Sequence, residues 1–247
     1  MKKIIKKILP NPLKEFIIFI KKKYIDGGGY WLKSYSQEGE DIIIARIFGD
    51  KQAGFYVDIG AHHPYRFSNT YFFYKRGWRG INIDAVPKGM KIFNKYRPKD
   101  KNIEVAISDK KEKIKYFMFN EPAINTFSEE LAKNVNKSKH RIIGTIKLQT
   151  RTLEEILDKN LQIGQEIDFM DIDVEGLDFN VVKSNNWQKY RPKVILVEIL
   201  NINNIFDLKN NEIVKYLEKV GYQFFAKTYN TIFFIETEYI NILTAGK

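Results

Sequence analysis

Short apolar runs alternate with helix-like patterns from residue 54 onward. The runs GFYVDIG (54–60) and KVILVEI (193–199) have the length and the apolar content of buried strands. Three further strands are predicted at RGINIDA (79–85), NIEVAIS (102–108) and EIDFMDID (166–173). Strands that are apolar along most of their length are typical of a parallel sheet covered on both faces.

Helical patterns fill the segments between these strands. The predicted helices cover residues 68–76, 87–96, 151–160, 181–187 and 211–220. Gly77 and Gly221 end two of them, and Thr152 is the expected N-cap of the third. Alternation of strand and helix predicts an α/β domain with a mostly parallel sheet.

Two features add antiparallel strands to this plan. The segment KIKYFMF (113–119) alternates polar and apolar residues, which suits a strand with one wet face, and IIGTIKLQT (142–150) predicts another strand. The chain ends in a hairpin-like pair, YQFFAKTY (222–229) and TIFFIET (231–237). We therefore predict one domain from residue 31 to residue 247.

Residues 1–30 form a separate basic arm. Residues 1–23 hold eight lysines and one glutamate, with Pro10 and Pro12 interrupting any single helix, and Gly27 to Gly29 mark a linker. One interpretation is an amphipathic arm, residues 1–24, on an anionic membrane. The other is a helix that packs on the domain or extends into solvent.

Composition narrows the class of protein. With 247 residues, 44% of them hydrophobic, the chain can bury a full core. The absence of cysteine excludes disulfides, cysteine-ligated zinc and thiol nucleophiles. No apolar run approaches the roughly 18 residues that span a bilayer, and the absence of a signal segment predicts the cytoplasm. The net charge is +11, but residues 1–23 supply +7 (eight minus one), which weakens the case for nucleic acid.

Three predicted strand ends carry the chemistry of a nucleoside cofactor site. Ligands of such sheets bind at the carboxyl ends of the strands. The candidate cofactor residues are Asp58, Gly60 and Ala61 after the first strand, Asp84 and Ala85 after the second, and Ile107 and Ser108 after the third. A carboxylate at the second strand end can accept both hydroxyls of a ribose. The GxGxxG turn of dinucleotide sites is missing, so S-adenosylmethionine (SAM) fits better than a nicotinamide dinucleotide.

Several motifs together resemble the FkbM-type methyltransferases. They are SQEGED (36–41), YVDIGAHHP (56–64), SNTYFFYKRGWRGINIDA (68–85), the NT of INTFSEE (124–130), TRTLEEIL (150–157) and MDIDVEGLD (170–178). The resemblance covers roughly residues 34–200. It implies a SAM-dependent O-methyltransferase of bacterial sugar, surface-polysaccharide or natural-product pathways, with a Rossmann-like seven-stranded sheet in the order 3-2-1-4-5-7-6. One departure is that His62, His63 and Pro64 stand where many relatives have further glycines.

Acidic residues after the fourth predicted strand are candidates for catalysis. Asp171, Asp173 and Glu175 are spaced by two, so an extended chain would place them on one face. Asp173 and Glu175 are candidate catalytic residues, and Asp171 belongs either to the cofactor site or to the strand. Asp173 and Glu198, on neighbouring strand ends, could share Mg²⁺ or Mn²⁺, the metals that oxygen ligands favour. The alternative is that Glu198 binds substrate or a loop amide without metal.

Further candidates lie in two loops. His62 and His63 follow Gly60, and either could act as the general base, or both could be structural. Gln37 and Asp41, before the first strand, could close over the cofactor; the alternative is that Ser36 caps a helix there.

Three functions compete at this stage. The first is a SAM-dependent O-methyltransferase acting on a sugar hydroxyl, a nucleotide-linked sugar or another envelope precursor. The second is a nucleic-acid methyltransferase, although DIDVEG stands where base-modifying enzymes carry an Asn/Asp-Pro-Pro-aromatic motif. The third is a non-catalytic adaptor at the membrane surface that retains the fold.

Overall fold

The computed structural model describes residues 10–21, 32–135, 139–200, 202 and 204–245. The chain divides into two units, Met1–Ser34 and Tyr35–Lys247. In the first unit, helix α1 (Asn11–Ile20) begins after Pro10 and exposes apolar side chains. The predicted linker glycines and the predicted boundary at residue 30 lie outside the described residues.

The second unit is built on a seven-stranded sheet. Its strands are β1 (Phe55–Ile59), β2 (Arg79–Asp84), β3 (Lys101–Glu104), β7 (Phe169–Ile172), β8 (Val194–Glu198), β9 (Tyr222–Lys227) and β10 (Thr231–Glu236). They lie in the order β3-β2-β1-β7-β8-β10-β9, and β10 is antiparallel to both of its neighbours. In chain order this is 3-2-1-4-5-7-6, so the predicted fold class is confirmed.

A smaller sheet stands beside the main one. It consists of β4 (Ala106–Ile107), β5 (Lys113–Phe119) and β6 (Ile142–Arg151), in the order β4-β6-β5. The predicted strand 102–108 therefore divides at Val105, and its second part pairs with β6. The predicted antiparallel strand β5 also pairs with β6, so both belong to this second sheet.

Helices cover both faces of the main sheet. They are α2 (Glu40–Phe48), α3 (Tyr71–Lys75), α4 (Met90–Tyr96), α5 (Glu129–Val135), α6 (Leu153–Asn160), α7 (Asp178–Lys183), α8 (Glu212–Lys219) and α9 (Thr237–Ala245), with 3-10 helices at Pro122–Ile124 and Ile205–Asn210. As predicted, the Thr152 hydroxyl caps α6, accepting from the backbone N–H of Glu155. Within the described ranges, no helix is long and apolar enough to cross a membrane.

Alternation along the central strands decides which side chains reach the site. Val57 and Ile59 of β1 pack in one core layer, whereas Tyr56 packs in the layer on the opposite face, together with α2 and α3. Since side chains alternate along a strand, Asp58 lies on the face of Tyr56. The same alternation in β7 places Asp171 on that face, two residues after Phe169.

Candidate active site

Two adjoining cavities open at the carboxyl ends of β1, β2, β7 and β8. The inner cavity lies between β2 and the small sheet, and the outer cavity lies between the loop before α2 and the ends of β7 and β8. Their volumes, open mouths included, are about 530 and 1020 Å³, the size of small-molecule sites. Five residues contribute to the lining of both cavities, which therefore form one cleft: Gly60, His62, Ala123, Asp173 and Glu175.

The turn after β1 is bound to the end of β2. Gly60 has a φ of +89°, and it and Ala61 donate to the carbonyl of Ile83 at 2.9 and 3.1 Å. The next backbone N–H, that of His62, donates to the Asp84 carboxylate at 2.7 Å. Left-handed backbone of this kind favours glycine. The turn therefore presents successive backbone groups of residues 60–62 at the cleft.

Asp84 lies at the edge of the inner cavity. Besides His62, the backbone N–H of Val86 donates to its carboxylate, at 2.7 Å. Burial raises the pKa of Asp84, and these two hydrogen bonds oppose the shift. Of the other predicted cofactor residues on β2 and β4, Ala85 and Ile107 line the same cavity, and Ser108 does not. The Ser108 hydroxyl instead donates to Asp109 at 3.3 Å.

The rest of the inner cavity has an apolar wall. It comes from the β3–β4 junction and from β5 with the loop that follows it: Val105, Tyr116, Pro122, Ala123 and Phe127. The sequence pattern does not mark these residues as part of a site, because alternation in 113–119 predicts one solvent-exposed face and does not identify what the other face packs against. The NT motif, at Asn125 and Thr126, marked this loop.

Seven acidic side chains line the outer cavity, and no lysine or arginine of the described part of the chain lines it: Glu38, Glu40, Asp58, Asp171, Asp173, Glu175 and Glu198. We call it the acidic cavity. The lining of this cavity is thus acidic, although the net charge of the whole chain is +11. Such a site favours cations and neutral groups over anions.

Asp58 and Asp171 face each other at the floor of the acidic cavity. They are register partners on β1 and β7, and both are buried. Thr70 donates to Asp58 at 2.6 Å, and Asn69 donates to Asp171 at 2.8 Å. Burial raises the pKa of both carboxyls, and the charge of Asp58 raises that of Asp171 further.

A buried arginine supports this floor from behind. Arg97 is fully buried, forms an ion pair with Asp100 at 2.8 Å and donates to the Thr70 hydroxyl at 2.9 Å. The positive charge of Arg97 partly opposes the raised pKa of Asp58. Nothing in the sequence pattern marked Arg97, since arginine at a helix end is normally exposed.

Asp173, Glu175 and Glu198 form a cluster in the acidic cavity. One carboxylate oxygen of each lies within 4.8 Å of the others. After burial, the negative charge of Glu198 is the largest cause that raises the pKa of Asp173. Burial and the neighbouring negative charges raise the pKa of all three. Among the described residues, Asp173 Oδ1 is buried without a hydrogen-bond partner.

The loop after β7 is fastened in an unusual conformation. Glu175 has a φ of +53°, and its carbonyl accepts hydrogen bonds from the Thr126 hydroxyl at 2.5 Å and from Phe127 N–H at 3.3 Å. The Asp178 carboxylate accepts from Val174 and Gly176 N–H at 2.9 and 3.1 Å. Thr126 thereby links the NT motif to the DIDVEG motif.

The two histidines have different positions. His62 lines both cavities, and its buried Nε2 has no partner among the described residues. Burial, assisted by the charge of Arg66, lowers its pKa to about 4, so the ring is neutral at pH 7. His63 lines neither cavity, and its Nδ1 accepts from the backbone N–H of Arg66 at 3.2 Å. His63 therefore organises its loop, and its position does not match the predicted base.

The SQEGED segment also separates into two groups. Gln37, Glu38 and Glu40 line the acidic cavity. Asp41 is buried away from it, accepting from Tyr35 N–H at 2.7 Å and from the Ser36 hydroxyl at 2.9 Å. Asp41 therefore shapes the turn before α2 and does not line the cleft, contrary to its predicted place at the cofactor.

The topology and the cleft at the strand ends define a cofactor-binding α/β enzyme. The sequence matches the family described as "Methyltransferase FkbM domain" over residues 58–224, and the chain belongs to this family. It is therefore a SAM-dependent methyltransferase. No curated protein matches the sequence significantly.

Solved structures similar to the chain include two methyltransferases. A precorrin-6y C5,15-methyltransferase from Geobacter metallireducens GS-15 has 11% identity and a TM-score of 0.41, over 83% of this chain and 90% of its own. A TehB-like SAM-dependent methyltransferase from Corynebacterium glutamicum ATCC 13032 Kitasato has 11% identity and a TM-score of 0.38, over 92% and 100%.

Proposed function

We propose that the enzyme transfers the methyl group of SAM to a hydroxyl of a sugar, a nucleotide-linked sugar or another bacterial surface-polysaccharide precursor. The observation that carries this proposal is the continuity of the two cavities. The inner one combines an apolar wall with Asp84, and it opens directly onto the cluster of Asp173, Glu175 and Glu198. A nucleoside and a hydroxyl acceptor thus have adjacent, chemically distinct places.

The lining residues would hold SAM in one direction. The apolar wall that includes Ile107 would hold the adenine, and Asp84, whose two carboxylate oxygens have further lone pairs beside their backbone donors, would accept the ribose hydroxyls. Gly60 and Ala61 would border the methionine end, with the Asp58 carboxyl as the partner of its ammonium group and Asp171 beside it. The reactive methyl group would then be supplied at the acidic cavity.

The acceptor hydroxyl attacks the methyl carbon in line with the sulfur. An oxygen–carbon bond forms, the carbon–sulfur bond breaks with its electron pair on sulfur, and the products are a methyl ether and S-adenosylhomocysteine. The hydroxyl proton passes to the ionised form of Asp173 or Glu175, and the raised pKa makes that form a stronger base than an ordinary carboxylate. The neutral His62, with its unpartnered Nε2, is the alternative acceptor of that proton.

The cluster also fits a divalent cation. The three carboxyl groups each offer an oxygen within 4.8 Å of the others, which matches the all-oxygen preference of Mg²⁺ or Mn²⁺. Asp173 also has a buried Oδ1 without a hydrogen-bond partner among the described residues. Asp173 and Glu198 would hold it, with Glu175 beside them. When bound, the cation would supply positive charge that stabilises the alkoxide form of the acceptor.

The acidic lining of the cavity disfavours the nucleic-acid alternative, since the acids that are ionised repel phosphate groups and no basic side chain among the lining residues attracts them. For a nucleotide-linked sugar, only the sugar would enter this cavity. We place the reaction in the cytoplasm, where SAM is made.

The test is methyl transfer from labelled SAM to a panel of sugars and nucleotide sugars, with and without EDTA. We expect S-adenosylhomocysteine release and a product heavier by one methylene group, with the methyl on oxygen. Transfer only to nitrogen or to nucleic acid would contradict the proposal. Loss of activity in EDTA with recovery in Mg²⁺ supports the cation, and full activity in EDTA refutes it.

A further inference from the structure

A branched group of neighbouring aromatic rings extends outward from the mouth of the acidic cavity. We call it the aromatic strip: Phe67, His62, His63, Tyr65, Tyr96, Tyr71, Tyr74 and Tyr35. Tyr65 contacts both Tyr96 and Tyr71, and Tyr71 in turn contacts Tyr74 and Tyr35; the ring centroids of contacting members are 4.4–6.4 Å apart. The strip begins inside the cleft, because Phe67 and His62 line the acidic cavity.

Three rings of the strip are exposed, although burial would be favourable. Tyr65, Phe67 and Tyr96 retain 41%, 44% and 45% of their accessible surface. Single exposed aromatic residues are common, but neighbouring ones mark an interaction surface. Tyr65 packs edge-on against Tyr96 at 5.4 Å, so these two rings form one patch.

The loop that presents the strip is fixed in shape. Both His62 and Phe67 have left-handed backbone, with φ of +51° and +54°. Between them, His63 Nδ1 accepts from the backbone N–H groups of Tyr65 and Arg66, at 3.4 and 3.2 Å. Non-glycine residues with such φ values are uncommon and cluster at functional sites. A preformed loop binds ligands at a smaller entropy cost.

Cations border the strip. Lys95 lies 5.4 Å from the ring centre of Tyr96, and Lys75 lies 5.1 Å from that of Tyr35. Arg79 lies 5.2 Å from the ring centre of Tyr74. These three form no ion pair with a carboxylate of the described residues, whereas Arg66 is paired with Glu121. The strip therefore combines aromatic faces with positive charge.

We propose that the aromatic strip binds the chain of an acidic oligosaccharide or polysaccharide, adjacent to the sugar that is methylated. This inference rests on the proposed function, which places a sugar hydroxyl in the acidic cavity. The C–H faces of the sugar rings stack on the aromatic side chains. The carboxylates of the acidic sugar units pair with Lys75, Arg79 and Lys95. Acidic groups are repelled by the ionised acids of the cavity, so the acidic units of a chain bind outside it.

The experiment measures binding without methyl transfer. The full chain is run by affinity electrophoresis in gels that contain polygalacturonate, dextran or poly-L-glutamate. We expect stronger retardation by polygalacturonate than by either control polymer, because dextran lacks charge and polyglutamate lacks sugar rings. The double variant Tyr65→Ala with Tyr96→Ala should bind polygalacturonate about tenfold more weakly, since two ring contacts are lost.

Matched variants separate the strip from general effects. Phe225→Ala removes a ring of 42% exposure on β9, and Lys215→Gln removes an exposed lysine on α8; both should bind as the wild type does. Lys95→Gln should weaken binding to polygalacturonate and reduce its salt dependence.

Equal retardation by polygalacturonate and poly-L-glutamate would overturn the proposal, because net charge alone would then explain binding. So would sedimentation with anionic phosphatidylglycerol vesicles that the double variant loses, which would identify a lipid surface. Because the assay needs no SAM, failure of the strip is distinguishable from failure of the proposed reaction. Methylation of small sugars by a protein that does not bind polygalacturonate would refute the strip alone.

Discussion

Gly60 lies in direct contact with the backbone carbonyl of Asp173. A Cβ atom built on Gly60 falls 1.6 Å from that carbonyl oxygen. The strand ends of β1 and β7 therefore approach as closely as a residue without a side chain permits. The contact joins the turn proposed for the methionine end of SAM to the acid proposed for the transfer step.

Gly60→Ala should consequently destabilise the protein and weaken SAM binding together. The left-handed φ alone costs a non-glycine residue about 1–2 kcal/mol, and the overlap with Asp173 adds about 1–3 kcal/mol. The control is Gly164→Ala, at a φ of +79° with no atom within 4 Å of the added Cβ. Thermal unfolding and calorimetry measure both effects. If the two variants unfold at the same temperature, the contact has no energetic role.

Asp84→Ala should abolish most SAM binding. The carboxylate would accept both ribose hydroxyls, and its removal should cost about 2–3 kcal/mol of binding free energy. In a thermal-shift assay, SAM raises the melting temperature of the wild type and not of the variant. Because Asp84 also accepts from His62 and Val86 N–H, the unliganded variant is measured alongside. Unchanged calorimetric affinity would exclude this cofactor site.

Asp173→Asn should lower kcat by about 10²–10⁴-fold and leave SAM affinity nearly unchanged, because the variant keeps the shape but loses a proton-transfer group. Asp158→Asn, at a surface ion pair with Lys189, is the control and should retain activity. Steady-state kinetics and SAM titration give the two quantities. A variant that loses SAM binding or melts much earlier would show that Asp173 is structural.

Stability should fall as pH rises, owing to Glu175. Burial raises its pKa to about 8, so the folded state favours the protonated form. Below the unfolded-state pKa of about 4.3, Glu175 is protonated in both states and costs no stability. The free-energy cost of ionising it in the folded protein grows between that pH and 8, and it is complete above 8. Glu175→Gln, a neutral isostere, should therefore gain stability relative to the wild type as pH rises from 5 to 9. Each unit of raised pKa corresponds to about 1.4 kcal/mol.

The control for this pH dependence is Glu155→Gln. Hydrogen bonds from Lys159 and Lys111 lower the pKa of Glu155 to about 2, so its charged form is the favoured one. This variant should gain nothing at high pH. Parallel melting curves of wild type and Glu175→Gln from pH 5 to 9 would contradict the raised pKa.

Deleting residues 1–24 should abolish sedimentation with phosphatidylglycerol vesicles at low salt and leave turnover of soluble acceptors intact. In α1, Phe16, Ile17 and Ile18 are 58%, 47% and 54% exposed, and lysines precede and follow them in the sequence. Vesicles of phosphatidylcholine are the control, since they lack the negative charge. Unchanged sedimentation would exclude the arm as the anchor, and an unfolded product would show that it belongs to the core.

The sequence predicts the strands of the main sheet well, because the signal for each strand lies within its own short segment. Apolar runs such as 54–60 and 193–199 specify buried strands, and the cofactor acids stand at their ends, where Asp58 and Asp84 are found. Which strands pair with each other is harder to predict from the sequence. Alternation in 113–119 predicts that the strand has two different faces, but it does not identify the neighbouring strand. Val105, where the third strand divides between two sheets, carries no such signal.

Side-chain roles were harder to predict where two distant segments supply the partners. Tyr116 reaches the inner cavity from the small sheet, and Thr126 fastens the carbonyl of Glu175, 49 residues away. Asp41 shows the opposite case. It lies close in sequence to residues that line the cleft, but its carboxylate accepts hydrogen bonds from the nearby residues Tyr35 and Ser36. The sequence shows that a side chain can accept hydrogen bonds, but not whether the donor is a bound ligand or a neighbouring residue.

The topology also sets when the site can exist during synthesis. β1 pairs with β2 on one edge and with β7 on the other, and β7 begins 110 residues after Ile59, at Phe169. Until β7 emerges from the ribosome, that edge of β1 is unpaired, and open edges invite pairing with other chains. Gly60 also lacks the Asp173 backbone beside it until then. The cofactor site proposed here is therefore incomplete, and cannot serve as a template for folding, until the chain has been synthesised beyond β7.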